Sequence, residues 1–341
     1  MNIKKFIHQK PKLFNLSQIF GSCAFQSFFL LVHLTLDCNC HCQNCYQKNN
    51  PFYTSRNDFI KLLDFKDILE DIRSSFFIKP NLHFFGGEPL LNPYFGQILS
   101  LAQGYKMEMS LTTNGILLDK YLDQILGTNL KQINISIDDI GPRHDKIRQF
   151  KGCFQNIIDN IKKIRKKGKG NKKIININCL VIQDNYDHLL EIALYFRGNN
   201  IDINILTFQH MYFNLSKNKP QIDLGVLKSQ IKKLKKFKAN FDILLIPEIK
   251  FKDLVIYYAL DDNKGVFKNN CNIPWLGLNI LPNLEVTPGG GVLGCNQVVG
   301  NLKKESLKEI WNNSSMKKFR KDIIRDGLPA VCFRCCHRQY Y

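Results

Sequence analysis

Residues 29–45 read FLLVHLTLDCNCHCQNC, an apolar run followed at once by four cysteines within eight residues. The apolar run at 29–36 predicts a short buried strand. Cys38, Cys42 and Cys45 are spaced Cys-x3-Cys-x2-Cys, so one loop can direct three thiolates at one point, as an iron–sulfur cluster requires. Three ligands on a cube of four irons leave one iron open, just as catalytic zinc sites keep one position vacant. The loop therefore predicts a reactive cluster rather than a purely structural one.

Short apolar runs alternate with helical patterns along most of the chain. Strands are predicted near 29–36, 81–85, 107–112, 132–137, 174–181 and 202–207. Amphipathic helices are predicted near 57–73, 93–104, 117–127, 153–168 and 186–198. Regular alternation of this kind is typical of parallel strands joined by crossover helices, so the sequence predicts an α/β fold.

Three polar motifs follow the cysteine loop, each at the end of a predicted strand. They are Gly86-Gly87-Glu88-Pro89, Thr112-Thr113-Asn114-Gly115 and Asn134-Ile135-Ser136-Ile137-Asp138. In βα barrels the chemistry collects at the C-terminal ends of the strands. The strand, the three-cysteine loop and these motifs, in this order, resemble the radical S-adenosylmethionine (SAM) enzymes over residues 29–215, and the resemblance resumes at 266–341.

The resemblance implies a partial (βα)6 TIM-like barrel, to which the six predicted strand–helix units correspond. It also implies that Cys38, Cys42 and Cys45 hold a [4Fe–4S] cluster whose open iron binds SAM. Reductive cleavage of SAM then gives methionine and a 5′-deoxyadenosyl radical, which abstracts a substrate hydrogen atom. An electron donor such as flavodoxin or ferredoxin is expected as a partner. The alternative for the loop is a zinc site or free thiols.

The same resemblance implies a set of SAM contacts. Its members are Tyr46, Gly86, Gly87, Glu88, Thr113, Asn114, Ser136, Asp138 and Arg148. Glycines, which lack Cβ, would let the backbone approach the methionine end of SAM, and Glu88 would accept a hydrogen bond from its amino group. Two positions depart from the family pattern, because Asn44 replaces an aromatic residue and Gln149 replaces a glycine. For any single residue of the set, a helix cap or a turn is the alternative role.

The last part of the chain carries five more cysteines. They are Cys271, Cys295, Cys332, Cys335 and Cys336. With the Pro-Gly run before Cys295, this segment resembles the auxiliary-cluster extension of radical SAM enzymes, called SPASM in its full form and twitch in its shorter form. A full extension carries two clusters and needs at least seven cysteines, so we expect one auxiliary [4Fe–4S] cluster. The best ligand set is Cys271, Cys295, Cys332 and Cys335, with Cys336 as a substitute for Cys335. A four-cysteine zinc knuckle is the alternative, since spacing does not name the metal.

The motifs divide the chain into four parts. These are an N-terminal extension at 1–28, a radical SAM core barrel at 29–215, a helical bridge at 216–265 and a SPASM/twitch-type auxiliary cluster domain at 266–341. The bridge is predicted from the helical periodicity at 224–238. The extension is too short for the separate peptide-recognition domain that some peptide-modifying enzymes carry. A peptide substrate would therefore need a standalone recognition partner or recognition by the barrel alone.

Composition and charge narrow the cellular context. Of the 341 residues 44% are hydrophobic and 23% charged, as in ordinary globular proteins, and no apolar run approaches the roughly 20 residues of a membrane span. The close cysteine spacings favour metal ligation in a reducing compartment, which predicts a cytoplasmic protein. The net charge of +19 comes largely from lysines on polar helix faces, so we expect neither a membrane nor nucleic acid as partner. An acidic peptide leader or a tRNA is the alternative.

The resemblance therefore implies an enzyme that abstracts a hydrogen atom from carbon in a ribosomally made peptide (RiPP) or another natural product. A small-molecule radical dehydrogenase or rearrangement enzyme is the alternative. A hypothesis of another class is a non-catalytic zinc module that binds nucleic acid, which explains the charge but not Gly-Gly-Glu-Pro after a strand. Two thiols, Cys336 and Cys40, are candidate hydrogen-atom donors, and no other catalytic residue is assigned.

Overall fold

The computed structural model describes residues 21–23, 27–47, 58–168, 173–211, 221–258, 271–289, 295 and 297–328. Its strands are β1 (Phe29–Thr35), β2 (Asn81–Gly86), β3 (Met109–Thr113), β4 (Leu130–Ser136), β5 (Ile174–Val181), β6 (Ile205–His210), β7 (Asp242–Ile246), β8 (Gly277–Ile280), β9 (Glu285–Pro288) and β10 (Gly300–Asn301). They form one sheet in the order β10-β9-β8-β1-β2-β3-β4-β5-β6-β7. Strands β1 to β7 are parallel to their neighbours and β8 is parallel to β1, whereas β9 and β10 pair antiparallel.

Helices connect successive parallel strands. They are α1 (Leu62–Ser75), α2 (Phe95–Gly104), α3 (Leu122–Gly127), α4 (Pro142–Arg148), α5 (Cys153–Lys167), α6 (Leu189–Gly198), α7 (Leu224–Lys236), α8 (Leu254–Tyr258), α9 (Leu307–Asn312) and α10 (Ser314–Asp326). Because strands that follow each other in sequence are neighbours in the sheet, right-handed crossovers place the connecting helices on one face. The predicted α/β fold with a parallel sheet is confirmed. None of the helices in the described part of the chain is long and apolar enough to cross a membrane.

The two faces of the sheet differ in chemistry. Toward the helices, Leu111, Ile133 and Ile175 are fully buried, at 0% exposure, in the main apolar core. The opposite face, called the inner face below, carries polar side chains on the alternate positions of β3 to β6. Paired residues of neighbouring strands share a face, as do Asn134 of β4 and Asn176 of β5. The polar positions of adjacent strands therefore lie side by side.

Two regions differ from the sequence-based expectation. The stretch 216–265, predicted to be a helical bridge, contains α7 but also β7, which extends the sheet beside β6. The run DILLI in β7 is too short to be assigned from periodicity. The preceding strand, predicted to begin near 202, begins at Ile205, and just before it the Asn204 side chain accepts a hydrogen bond from the Ile175 amide at 2.9 Å.

Candidate active site

The cysteine loop leaves the C-terminal end of β1 and is tied to the end of α4. The backbone N–H groups of His41 and Gln43 donate to the carbonyls of Arg148 and Ile147, at 3.2 and 3.4 Å. These two bonds fix the loop at the edge of the sheet where the parallel strands end. That edge is where the sequence places the polar motifs as well.

Two of the predicted cluster ligands receive hydrogen bonds at sulfur. The Cys40 amide donates to Cys38 Sγ at 3.4 Å, and the Arg148 guanidinium donates to Cys42 Sγ at 3.6 Å. A hydrogen bond from the Cys40 thiol, aided by the charge of Arg148, lowers the pKa of Cys42 to about 6. The same thiol is the main cause that lowers the pKa of Cys38. Since the thiolate is the metal-ligating form, these contacts favour ligation by both sulfurs.

The other two thiols of the loop have different surroundings. Cys40 is buried, and its hydrogen bonds to Cys38 and Cys42 raise its pKa, so it stays protonated. Cys45 is half-buried, and its amide donates to the Cys42 carbonyl at 3.4 Å. Among the described residues, no three His, Cys, Asp or Glu side chains converge on a single metal ion. A cube of four irons is wider than one ion, so three thiols spread along one loop fit such a cluster.

Gly86 and Gly87 dock the end of β2 against the segment that leads to the cysteines. Gly86 has a φ of +137°, and a Cβ there would lie 2.1 Å from the Thr35 carbonyl oxygen. A Cβ on Gly87 would lie 2.2 Å from the Asp37 carbonyl oxygen. No side chain fits at these distances, so the glycines let two backbones meet. Their contact with SAM stays a prediction.

Glu88 is fully buried and joins β2 to β3. Its Oε1 accepts from Thr113 Oγ1 at 2.8 Å, and its Oε2 accepts from the Asn114 amide at 2.7 Å. Burial raises the pKa of Glu88 to about 7, although these hydrogen bonds act in the opposite direction. Asn114 Nδ2 donates to Asn39 Oδ1 at 2.6 Å and lies 4.0 Å from Cys38 Sγ. Glu88, Asn114 and the predicted cluster ligand Cys38 therefore form one chain of contacts.

Arg148 lies between the cysteine loop and β4. Its Nη2 forms a buried ion pair with Asp138 Oδ2 at 2.8 Å, while Nη1 donates to Cys42. Against the effect of burial, the negative charges of Asp138 and Cys42 raise the pKa of Arg148. The next residue, Gln149, has a φ of +52°, which explains why glycine is usual there. The contact with a cluster ligand was not predicted from the sequence.

The two remaining predicted SAM contacts lie on either side of this network. Tyr46 donates from its hydroxyl to the Gly86 carbonyl at 2.8 Å and stacks on Phe85, with ring centroids 5.9 Å apart. Ser136 is half-buried on the inner face at the end of β4, where it pairs laterally with Asn178 of β5. The structure thus brings the predicted SAM contacts together at the C-terminal ends of β1 to β4.

The predicted auxiliary site is described only in part. Cys271 and Cys295 are both half-buried, and a Cβ on Gly289 would lie 2.9 Å from Cys295 Sγ, so this glycine makes room for the thiol. The segment after Cys271 is fixed by the buried Arg320, which donates to the Pro274 carbonyl at 2.9 Å. Outside the described residues lie Cys332, Cys335 and Cys336. The four-ligand set therefore stays a prediction.

A ladder of hydrogen bonds crosses the inner face of β4 to β6. Its pairings were not predicted from the sequence, although Asn178 is a polar candidate at a strand end. Asn134 Oδ1 accepts from Gln132 Nε2 at 2.7 Å and from Asn176 Nδ2 at 2.9 Å. Asn176 Nδ2 also donates to Asn178 Oδ1 at 2.9 Å, and Thr207 Oγ1 donates to Asn176 Oδ1 at 2.9 Å. The ladder lies on the same side of the sheet as Ser136, next to the edge that carries the predicted SAM contacts.

Two family models match the chain. The radical SAM superfamily matches residues 32–196, and an iron–sulfur cluster-binding domain, SPASM, matches residues 271–336. The first match contains the cysteine loop with the strand ends around it, and the second contains all five C-terminal cysteines. The chain therefore belongs to the radical SAM superfamily and carries a C-terminal SPASM domain. It is an enzyme of the class that uses a SAM-binding [4Fe–4S] cluster together with auxiliary iron–sulfur clusters.

Curated relatives include two kinds of named protein. GTP 3′,8-cyclase of Helicobacter pylori is 28% identical over 311 residues, which cover 87% of this chain and 92% of that protein. Molybdenum cofactor biosynthesis protein 1 of Mus musculus is 30% identical over 208 residues, which cover 59% of this chain. The match spans only 31% of the length of that mouse protein, and the same share of the human one.

Solved structures confirm the barrel architecture. Streptococcus suis SuiB bound to S-adenosylmethionine has a TM-score of 0.66 at 15% identity, covering 95% of this chain and 74% of that one. The protein anSMEcpe with bound AdoMet has a TM-score of 0.62 at 17% identity, covering 91% and 88%. Likeness at these identities shows the fold alone. The predicted partial TIM-like barrel is thereby confirmed.

Proposed function

We propose that this radical SAM enzyme cleaves SAM at the cysteine loop and uses the resulting radical to abstract a hydrogen atom from carbon in a peptide. The proposal is carried by the contact network at the C-terminal ends of β1 to β4. That network links Cys38 to Asn114 and Glu88, and Cys42 to Arg148, through buried and half-buried contacts. Four strand ends thus contribute to one buried site around the loop.

Each part of the network has a role in this proposal. Cys38, Cys42 and Cys45 would hold the [4Fe–4S] cluster, whose chemistry would be the reductive cleavage of SAM, and a donor of the flavodoxin or ferredoxin type would supply the electron. Glu88 accepts a hydrogen bond from the ammonium group of SAM, and this positive charge favours the ionised carboxylate in spite of its burial. Asn114 holds Glu88 in place through its backbone amide, at 2.7 Å from Oε2.

A peptide substrate is supported by two observations. Among proteins of the same fold, SuiB is solved with its precursor peptide SuiA, and anSMEcpe is solved with the Cp18Cys peptide. In addition, no Lys, Arg, Asp or Glu stands on the inner face of β1 to β6 in the described strands. This face offers hydrogen bonds without a formal charge, as an amide main chain requires.

GTP cyclisation is the second candidate, because relatives named GTP 3′,8-cyclase match most of the chain. Proteins bind phosphate groups with Arg, Lys or helix N-termini. The inner face of the described strands has no such cation, and Arg148 of α4 is already paired with Asp138 and Cys42. These contacts favour the peptide over the nucleotide.

Anaerobic reconstitution tests the proposal. We expect about eight irons per chain, equal to two cubane clusters, and dithionite-dependent release of 5′-deoxyadenosine from SAM. Cys42→Ala should abolish this release, whereas Cys23→Ala, which removes an exposed thiol outside the loop, should leave it unchanged. Zinc in place of iron, or equal release by Cys42→Ala and wild type, would contradict the proposal. A cyclised product from added GTP would favour the second candidate.

A further inference from the structure

The inner face of the sheet holds hydrogen-bonding groups that the SAM network does not use. His83 of β2 bonds through Nδ1 to Ser110 Oγ at 2.7 Å and through Nε2 to Thr112 Oγ1 at 2.9 Å. The register of β3 and β4 pairs Ser110 with Gln132 and Thr112 with Asn134. These contacts therefore continue the amide ladder of β4 to β6, and the polar lining runs from β2 to β6.

The ladder is anchored by buried amides and ends in an accessible one. Asn134 and Asn176 are 4% and 3% exposed, and Asn134 Nδ2 donates to the Leu111 carbonyl at 3.1 Å. Asn178 is half-buried, and its Oδ1 accepts from Asn176 Nδ2, which fixes the orientation of the amide. Its Nδ2 has no partner among the residues that the structure describes. Two N–H donors of Asn178 are thus available at the inner face.

The strand register places this amide next to the SAM-facing edge. Asn178 pairs laterally with Ser136 of β4 and with Thr207 of β6, and Gln209 occupies the next inner position of β6. Ser136 ends β4 two residues before Asp138, which forms the ion pair with Arg148 at the cysteine loop. A molecule bound to Asn178 would therefore lie beside the site proposed for SAM cleavage.

This part of the inner face carries no Lys, Arg, Asp or Glu in the described strands β1 to β6. The described inner positions of β1 to β6 carry amides, hydroxyls, histidines and apolar groups. His33 of β1 is neutral at pH 7, since burial lowers its pKa to about 3. Neutral donors and acceptors pair well with amides, but they do not offset the cost of removing a phosphate from water. The ligand that fits this lining is polar and uncharged.

We propose that Asn178 donates to a main-chain carbonyl of an extended peptide, while Gln209 binds the neighbouring amide, so that the pair selects which carbon faces the radical. This inference rests on the proposed function and adds that the bound peptide segment is uncharged and which two side chains hold it. Asn176 acts through Asn178, because it orients that amide and is too buried to reach a ligand.

Deuterium transfer in the reconstituted holoenzyme tests the assignment. The probes are a pool of N-acetylated, C-amidated peptides of uncharged residues deuterated at carbon, and deuterated GTP for comparison. Mass spectrometry measures deuterium in 5′-deoxyadenosine and the total amount of this product separately. Asn178→Asp keeps the side-chain size and the acceptor for Asn176 Nδ2 but cannot donate, and Asn178→Leu removes both the donor and the acceptor. The matched control is Gln183→Leu, an exposed amide after β5 that accepts from the Gln221 amide at 3.2 Å.

With wild type and Gln183→Leu, 5′-deoxyadenosine is expected to acquire deuterium from the peptides. With both Asn178 variants the deuterium in this product should be about tenfold less, since one hydrogen bond contributes roughly that factor. Iron content, circular dichroism and total 5′-deoxyadenosine should be unchanged in all variants. Equal transfer by Asn178→Leu and wild type, transfer from GTP, or no transfer from any peptide while 5′-deoxyadenosine still forms would overturn the assignment. Absence of 5′-deoxyadenosine from wild type would instead refute the function on which it rests.

Discussion

Replacing Arg148 by methionine is expected to lower the reduction potential of the cluster at the cysteine loop. The guanidinium Nη1 lies 3.6 Å from Cys42 Sγ, and Nη2 is paired with Asp138. A positive charge and a hydrogen bond at a ligand sulfur stabilise the reduced cluster, which carries one more electron. Methionine keeps much of the side-chain volume but removes both effects. The oxidised state is therefore favoured in the variant.

The size of the shift follows from the contact distances. Two unit charges about 4 Å apart interact by about 4 kcal/mol at an effective dielectric constant near 20. Asp138, which lies 2.8 Å from the same guanidinium, cancels part of this. The added electron is also spread over the cluster, which weakens the attraction further. The Arg148 charge therefore stabilises the reduced cluster by roughly 1.5–2 kcal/mol. Since 59 mV corresponds to about 1.4 kcal/mol for a one-electron couple, the potential should fall by about 60–85 mV.

A redox titration followed by EPR measures this potential in the reconstituted protein. Arg143→Met is the matched control, because this residue of α4 pairs with Asp139 and Glu191 rather than with the cysteine loop. The double variant Arg148→Met/Asp138→Asn isolates the contribution of the carboxylate that the single variant leaves unpaired. An unchanged potential in Arg148→Met, or an equal fall in Arg143→Met, would refute the reasoning.

Two further predictions concern stability. Gly87→Ala should lower the free energy of unfolding by about 2–3 kcal/mol, because the added Cβ would lie 2.2 Å from the Asp37 carbonyl oxygen. Urea unfolding measures this loss. Gly104→Ala is the control, because a Cβ at that position has no atom within 4 Å. His188→Gln should destabilise the fold near pH 5.5 but little near pH 9. The hydrogen bond to Asp139 raises the pKa of His188, so its stabilisation is present below the unfolded pKa of about 6.5 and is lost as the pH rises through the folded value. Equal losses at both pH values would count against this assignment.

The barrel and the cysteine loop at its edge were predictable because their signals are local. A buried parallel strand needs one apolar run, as at 29–35, and three ligands of one cluster can come from a single short loop. The need for glycine at 86 and 87 was also predictable, but its cause was not. The backbone of Thr35 and Asp37 approaches these glycines, and no sequence pattern predicts which residues make this approach.

Contacts between residues far apart in the chain were not predictable. Arg148 and Cys42 are separated by 106 positions, so only the packing of α4 on the loop brings them together. The polar alternation of β4 and β5 is, by itself, typical of strands with one face in water. Register decides instead that Asn134 and Asn176 meet and share a hydrogen bond on the inner face. The accessible amide of Asn178 depends on that pairing.

The central claim is that SAM binds the open iron of a cluster held by Cys38, Cys42 and Cys45. The most direct measurement is the EPR spectrum of the reduced, reconstituted protein with and without SAM. We predict that SAM changes the spectrum in wild type and also after Cys332 and Cys335 are both replaced by alanine, since neither residue belongs to the cysteine loop. A spectrum that does not respond to SAM, or a response that survives Cys42→Ala, would contradict the claim.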